Sequence, residues 1–357
     1  MPQSTAALAI IVPLVGAVLA WLAGRASCRL AEVIAVVAAA GTAAVSIAAC
    51  WITAAGGGAL EAGWLRVDAL SGLLMAVIGL VSTFAVLFAG QHLRVLVCSE
   101  RIEECRLPGF YALALLFLAV SMATLTVDHV IALVAGVQAT VLVLALLVGF
   151  YWQQWAFAVR YKFFLPLLIG LVMTLLGAAL VAPALRAASP DGTLAASQVG
   201  AAVSPMVAGV PGGAVLGVAL LLVGLGTAAA LAPFHVWIGQ AHAEAPAPVG
   251  ALISGALVPL GLYALVRVVF PFTRGVDGLQ TALLLLGGAS MLIGVALIAA
   301  EWDARRLLAH STVSESGFVA LGIGLAGAAG VSGALVALVA HSLAKSLLCL
   351  AAGAVEQ

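Results

Sequence analysis

Polar residues along this chain are spaced so that long apolar runs lie between them. The runs centre near residues 14, 42, 79, 116, 140, 171, 221, 260, 288, 318 and 344. Many of them reach the roughly 20 residues that cross a bilayer core as a helix. In lipid a chain must satisfy its backbone hydrogen bonds internally, and a helix does so within one segment. An outer-membrane barrel would alternate apolar and polar positions over short strands; these runs do not alternate. The pattern predicts an all-α fold, a polytopic membrane bundle of about eleven transmembrane helices. Between the sixth and seventh runs, residues 182–210 are rich in Ala, Gly, Ser and Pro and read as a loop.

Composition agrees. Of 357 residues, 65% are hydrophobic and 8% charged, and the mean hydropathy is +1.26. A soluble domain is about one quarter charged, so this chain has too few charges to cover a globular surface. Fourteen basic and fourteen acidic residues cancel, which points away from nucleic acid as a partner. The partner implied directly is the lipid bilayer. The five cysteines form no CxxC pair and no Cys/His cluster of metal spacing, so they read as ordinary thiols. No ligand set for haem, iron–sulfur or flavin is evident, and we expect no cofactor in this chain. The first run, Ala6 to Ala23, lacks a basic leader and is long enough to span, which argues against a cleavable signal.

Charge sets an expected orientation. Odd-numbered inter-helix loops carry Arg25, Arg29, Arg94, Arg101, Arg106, Arg160, Lys162, Arg305 and Arg306, nine residues; even-numbered loops carry Arg66, Arg186, Arg267 and Arg274, four. Positive residues favour the cytoplasmic side. The odd loops are therefore expected inside, the N-terminus outside and the C-terminus inside, in a bacterial inner membrane.

Three stretches break the apolar pattern. The first is Ala232-Pro233-Phe234-His235-Val236-Trp237 followed by Ala241-His242-Ala243-Glu244-Ala245-Pro246-Ala247-Pro248. Proline interrupts helices, so the stretch is either an extramembrane loop or a broken helix lining a protein-enclosed site. The second is Glu301 to Thr312, a charged loop running into a helix, where Arg305 and Arg306 can anchor at the interface. The third holds His341 and Lys345, four residues apart and so on one helix face. Lys345 lies deep in its run; it is either a functional intramembrane charge or a lysine that snorkels to the surface, and its depth favours the first. His341 and Lys345 are expected to exchange a proton through one water, with Glu315, near the start of helix ten, as counter-charge.

Together these stretches resemble the antiporter-like membrane subunits of respiratory complex I, multisubunit Na+/H+ antiporters and membrane-bound nickel–iron hydrogenases, with wording around Leu231 to Arg267 closest to the hydrogenase type. Pro233 to Trp237 matches the family's P-x-H-x-W, and Ala241 to Leu252 its A-H-x-E-A-P-x-P-V-S-A-L with Gly250 for serine. Asp303 to Thr312 matches D-x-K-R-L-L-A-Y-S-T with Arg305 and His310 substituted, and His341 to Gly353 matches H-A-x-x-K-A-L-L-F-L-x-A-G. Val67 to Ser71 and Lys162 to Phe164 resemble the family's openings to helices three and six. The resemblance implies two inverted five-helix repeats. It divides the chain into helices one to three (1–106), a first repeat with a broken helix seven (107–270) and an incomplete second repeat (271–357).

It also implies a membrane subunit, itself without catalytic residues, of a proton- or cation-translocating redox complex. Its partners would be other membrane and peripheral subunits, with Lys345, His341, Lys162 and Glu315 as proton-path candidates. His235, His242, Glu244, Pro246 and Pro248 form the broken-helix motif, and His242 and Glu244 are expected at its outer-side connection. The family's usual charge positions fall here on Gln138, Ala228 and Pro259, none of which can change protonation. A degenerate first half-path is therefore expected. The rival readings are a non-conducting subunit that docks a soluble catalytic partner, and a subunit of an inorganic-carbon uptake complex.

Overall fold

The computed structural model describes residues 2–355 apart from 57, 101, 151–156, 190–191, 204–209, 275 and 277; the side chains of residues 2, 3, 157–162 and 274 lie outside the description. The chain is a helical membrane bundle. The elements are α1 (Pro2–Ala23), α2 (Cys28–Gly56), β1 (Leu60–Ala62), β2 (Leu65–Val67), α3 (Ala69–Cys98), α4 (Leu107–Thr126), α5 (Val130–Val148), α6 (Phe157–Ala188), α7 (Val199–Val203), α8 (Gly212–Ala228), α9 (Val236–Glu244), α10 (Ala247–Leu252), α11 (Val258–Ala264), α12 (Leu279–Ala300), α13 (Ala304–Gly324) and α14 (Ala328–Val355). Among the described residues, nine helical segments are long and apolar enough to cross a bilayer. The shorter α8 and the more polar α13 stand at the remaining two predicted positions.

The centre of the bundle is the segment Ala247–Thr273, almost wholly buried, whereas α1, α2, α6 and α12 present broad apolar faces outward. Ala247–Thr273 is not a regular helix. It widens to π-helix at Ile253–Leu257 and again at Leu265–Val269. Pro259 follows the first widening. Its ring clashes with the preceding turn and it offers no N–H, and a π-turn relieves both. Gly255 lets α14 approach closely there, since a Cβ at 255 would overlap Ser346 Oγ and the Ser342 carbonyl.

Loops join in two sets. Asp128 N–H donates to Trp64 O at 3.1 Å, Val130 N–H to Leu194 O at 2.8 Å and Ser197 Oγ to Asp128 Oδ2 at 2.7 Å, while Asp68 pairs with Arg267. All of these are even-numbered loops or adjoining helix ends. Arg94 pairs with Glu32, Cys28 Sγ donates to Glu104 O at 3.6 Å and Arg305 Nη1 donates to Ala245 O at 3.1 Å, all at odd-numbered loops. These contacts join odd-numbered loops to odd-numbered and even-numbered to even-numbered, as successive membrane crossings require.

Three expectations change. The link at 182–210 is not all loop: α6 continues through Pro183 to Ala188, because Val181 and Leu185 bury into the core and packing overrides the proline, and α7 forms a further turn. An antiparallel ribbon, β1 with β2, turns at Gly63 (φ +62°), a signal too short to register as alternation. His242 and Glu244 sit on the face of the odd-numbered loops, because Arg305 of the ninth loop holds Ala245 directly after them; the charge-based orientation and an outer-side placement of these two residues are therefore incompatible.

Candidate functional site

The break between α8 and α9 spans residues 229–235, and its freed backbone groups are met from elsewhere. Trp237, fully buried, donates Nε1–H to Thr227 O at 2.9 Å and packs edge-on to Phe163. Ser290 of α12 accepts from Ala232 N–H at 2.9 Å, and Leu231 N–H returns to Gly226 O at 2.8 Å. Irregular backbone inside a membrane protein persists only where such partners exist. The indole thus explains why the Pro-x-His-x-Trp spacing ends in tryptophan. His235 is half-buried just before α9, with Nδ1 enclosed and unpartnered by protein.

At the other end of α9, His242 is buried and bridges three elements. Its Nδ1 lies 3.1 Å from Ile238 O and its Nε2 2.8 Å from Ser254 Oγ, which lies 3.0 Å from Thr312 Oγ1 on α13. A carbonyl only accepts, so the neutral ring carries its proton on Nδ1 and Ser254 donates to Nε2. Glu244 ends α9, half-buried. Pro246 and Pro248 open α10, where the first turn needs no N–H from them. His310 of α13 reaches back to Glu301 at 3.5 Å.

The charged candidates converge between α13 and α14. Lys345 is buried (5% exposed) and donates from Nζ to Ser311 Oγ at 2.6 Å, with Glu315 Oε1 at 3.0 Å. Glu315 binds His341 Nδ1 through its other oxygen. The carboxylate therefore joins His341 and Lys345 directly, where a single water was expected. Glu315 also stands mid-way along α13 rather than near its start. Lys345 lies 17 residues after Ala328 and ten before Val355, well inside a helix long and apolar enough to cross a bilayer. The membrane-spanning helix therefore carries an ion pair within its length. Glu315's side chain is 43% exposed on the outer surface of the bundle.

The first-repeat positions hold no such group. Gln138 is buried and donates from Nε2 to Thr174 Oγ1 at 2.8 Å, and Thr174 in turn donates to Gly170 O at 2.8 Å. Ala228 is the buried last residue of α8, and Pro259 is buried in α11. Lys162 falls in the first turns of α6 and its side chain lies outside the described residues. Sequence patterns missed Ser254, Thr312 and Ser311, small hydroxyls without periodic signature, and the Asp68–Arg267 pair on the opposite face. Ser311 and Thr312 do close the Leu-Leu-Ala-His-Ser-Thr motif, which was the available signal.

A family model described as NADH:quinone oxidoreductase/Mrp antiporter, transmembrane, matches residues 127–357. The chain is similar to an uncharacterised protein of Mycobacterium tuberculosis (41% identity over 148 residues, 38% of this chain and 23% of the relative). It is also similar to the hydrogenase-4 component F homolog of Methylacidiphilum infernorum (34% over 144 residues, 40% and 30%) and to NADH-quinone oxidoreductase subunit N of Desulforudis audaxviator (32% over 145 residues, 40% and 29%). These alignments take in less than a third of each curated relative's length. Among solved structures, a chain of the membrane-bound sulfane sulfur reductase, an archaeal respiratory membrane complex, superposes with TM-score 0.84 at 21% identity over 98% of this chain and 71% of that one. A chain of the Mrp complex from Dietzia sp. superposes with TM-score 0.80 at 23% identity over 99% and 65%. At these identities the likeness concerns fold. Both neighbours are members of larger membrane assemblies.

Proposed function

The chain belongs to the transmembrane family shared by NADH:quinone oxidoreductases and Mrp antiporters, and on that premise we propose that it is a membrane subunit of a proton- or cation-translocating redox complex. Its protonatable centre is the Lys345–Glu315–His341 cluster. One observation carries this: a buried lysine inside a helix of membrane-spanning length is ion-paired to a partly exposed carboxylate, where charge is costly and defaults to function. Lysine and carboxylate can share a proton, and His341 offers a third site on the same carboxylate. The first repeat does not conduct, because Gln138, Ala228 and Pro259 hold no exchangeable proton. The chain would lie in a bacterial cytoplasmic membrane, N-terminus outside, among further membrane and peripheral subunits that bring the redox cofactors.

A second reading is supported by Gln138. Its hydrogen bond to Thr174 is complete and buried, as suits a subunit that only scaffolds a soluble catalytic partner. Purification of the native complex, identification of its subunits by mass spectrometry and proton uptake in reconstituted vesicles separate the two. Redox subunits with uptake coupled to turnover support the first; a tightly held soluble enzyme with no ion movement supports the second.

A further inference from the structure

Away from this site, the largest described cavity is a groove of 860 Å³ between α3 and α14. Its walls are Phe84, Leu87 and Phe88 from α3 and Leu343, Leu347 and Leu350 from α14. Phe84, Leu87, Leu343 and Leu347 are exposed, so the groove opens sideways on the apolar flank of the described bundle. On α3 it runs from Val81 to Arg94, about 20 Å along the axis, comparable with the roughly 15 Å depth of one leaflet's hydrocarbon. The floor, at Leu343, is two residues from Lys345.

Polarity concentrates at one end. Gln91, Arg94 and Glu32 line the mouth, near the inner end of α3 and on the face of the odd-numbered loops. Glu32 lies over Gly90, where a Cβ would overlap its Oε1, and pairs through Oε2 with Arg94 Nη2. Arginine carries five N–H donors, and this guanidinium is about half exposed (49%) at the mouth. The mouth is thus a fixed dipole, one cation and one anion side by side, above an acyl-sized apolar channel. Basic pockets between helices on the cytoplasmic side hold lipid head groups. Here the added carboxylate changes which head group fits.

We propose that this groove is a binding site for a phospholipid with a primary ammonium, of the phosphatidylethanolamine class, one acyl chain lying between α3 and α14. Arg94 meets the phosphodiester, Glu32 and Gln91 the ammonium. A choline head group has no N–H for Glu32, and a glycerol head group brings no cation, so both bind more weakly. The lipid closes the seam beside Ser346, one residue from Lys345, and limits water entry to the cluster from that side.

The test is native mass spectrometry of the purified full chain, with titration of phosphatidylethanolamine, phosphatidylglycerol and phosphatidylcholine, and photo-crosslinking in native membranes with a lipid that carries a photoreactive acyl chain. One phosphatidylethanolamine is retained per chain and crosslinks to peptides containing Leu347 or Leu350. Arg94→Ala weakens it about fivefold, the effect of one basic residue at a lipid head group. Because Arg94→Ala also removes the Glu32 pair and could unsettle the fold, Leu347→Trp is the second variant. Position 347 is 68% exposed, so the indole fills the groove without touching the core, and lipid is lost at unchanged melting temperature. Equal retention of the three lipids, or undiminished retention in Leu347→Trp, overturns the proposal. So does crosslinking of position 347 to a protein neighbour instead of lipid in native membranes.

Discussion

Replacing Lys345 separates conduction from architecture. Its ammonium is 3.0 Å from Glu315 Oε1 and 2.6 Å from Ser311 Oγ. At an effective dielectric of about 20, the Coulomb attraction at that separation is about 5.5 kcal/mol. Desolvation of the ammonium itself costs several kcal/mol in opposition. Breaking a fully buried pair from one side typically costs about 3–5 kcal/mol. Glu315 has no water to turn to within the membrane but can be neutralised by taking up a proton, so Lys345→Ala is expected at the lower end of that range, about 3 kcal/mol, which lowers but does not abolish assembly. Lys345→Arg preserves the charge and can form the same pair to Glu315, at a stability change within about 1 kcal/mol. Arginine, however, does not release its proton in proteins. The assay is proton uptake by the purified complex in vesicles, followed with an entrapped pH-sensitive dye and normalised to assembled complex on a native gel. Both variants should assemble, Arg better than Ala, and neither should move protons. Wild-type uptake in Lys345→Arg would refute the reasoning and leave Lys345 a structural residue.

Four further outcomes are expected. Trp237→Phe keeps the ring beside Phe163 but removes one of the two hydrogen bonds to the Thr227 carbonyl, which still accepts from Ala230 N–H at 3.1 Å; detergent-solubilised protein should lose about 0.5–1.5 kcal/mol, read as a lower melting temperature. Burial opposes the charge on Asp68, but Arg267's hydrogen bonds and charge, with the Ser71 N–H, outweigh it and hold the carboxyl below its ordinary value. A depressed pKa stabilises above the unfolded value, about 3.9, and that contribution is lost as pH falls through the folded one, so melting temperature should drop below about pH 4 and Asp68→Asn should remove that component. Gln138→Glu places a carboxyl where Thr174 Oγ–H is already given to Gly170 O, and should cost about 1–3 kcal/mol without restoring proton uptake. Cys98 and Cys105, both exposed on the odd-loop face, should react with an impermeant maleimide only after cells are permeabilised; labelling from outside reverses the proposed orientation.

What was legible in the sequence was what has a period or a breaker. Eleven apolar runs gave eleven helical positions because the bilayer fixes their length. The break after α8 was legible because Pro233 and the Pro246/Pro248 pair cannot continue a helix. The cluster at Lys345 was half legible. The four-residue spacing placed His341 and Lys345 on one face, but nothing in local sequence places Glu315, 26 and 30 residues away, between them. Such pairings depend on how helices rotate against one another. The same holds for His242 with Ser254 and Thr312, and for Asp68 with Arg267 at a separation of 199 residues. The succession of spans fixed which loops share a face, and the Arg305–Ala245 contact places His242 with the odd-numbered ones.

The unequal treatment of the two halves carries the functional argument further than either half alone. A membrane interior penalises every ionisable side chain, so charges without a use are readily lost. At positions 138, 228 and 259 of the first repeat the side chains are neutral, and Gln138 donates a hydrogen bond to Thr174. Between α13 and α14 the same environment retains a lysine, a histidine and a carboxylate in direct contact. Structural need alone does not account for the difference, since Ser254, Thr312 and His242 knit α9, the π-helical turn after α10 and α13 together without an ion pair. A cluster that keeps its charges where the fold has a neutral alternative for holding helices together is best explained by protonation chemistry, and that is the property the Lys345→Arg measurement isolates.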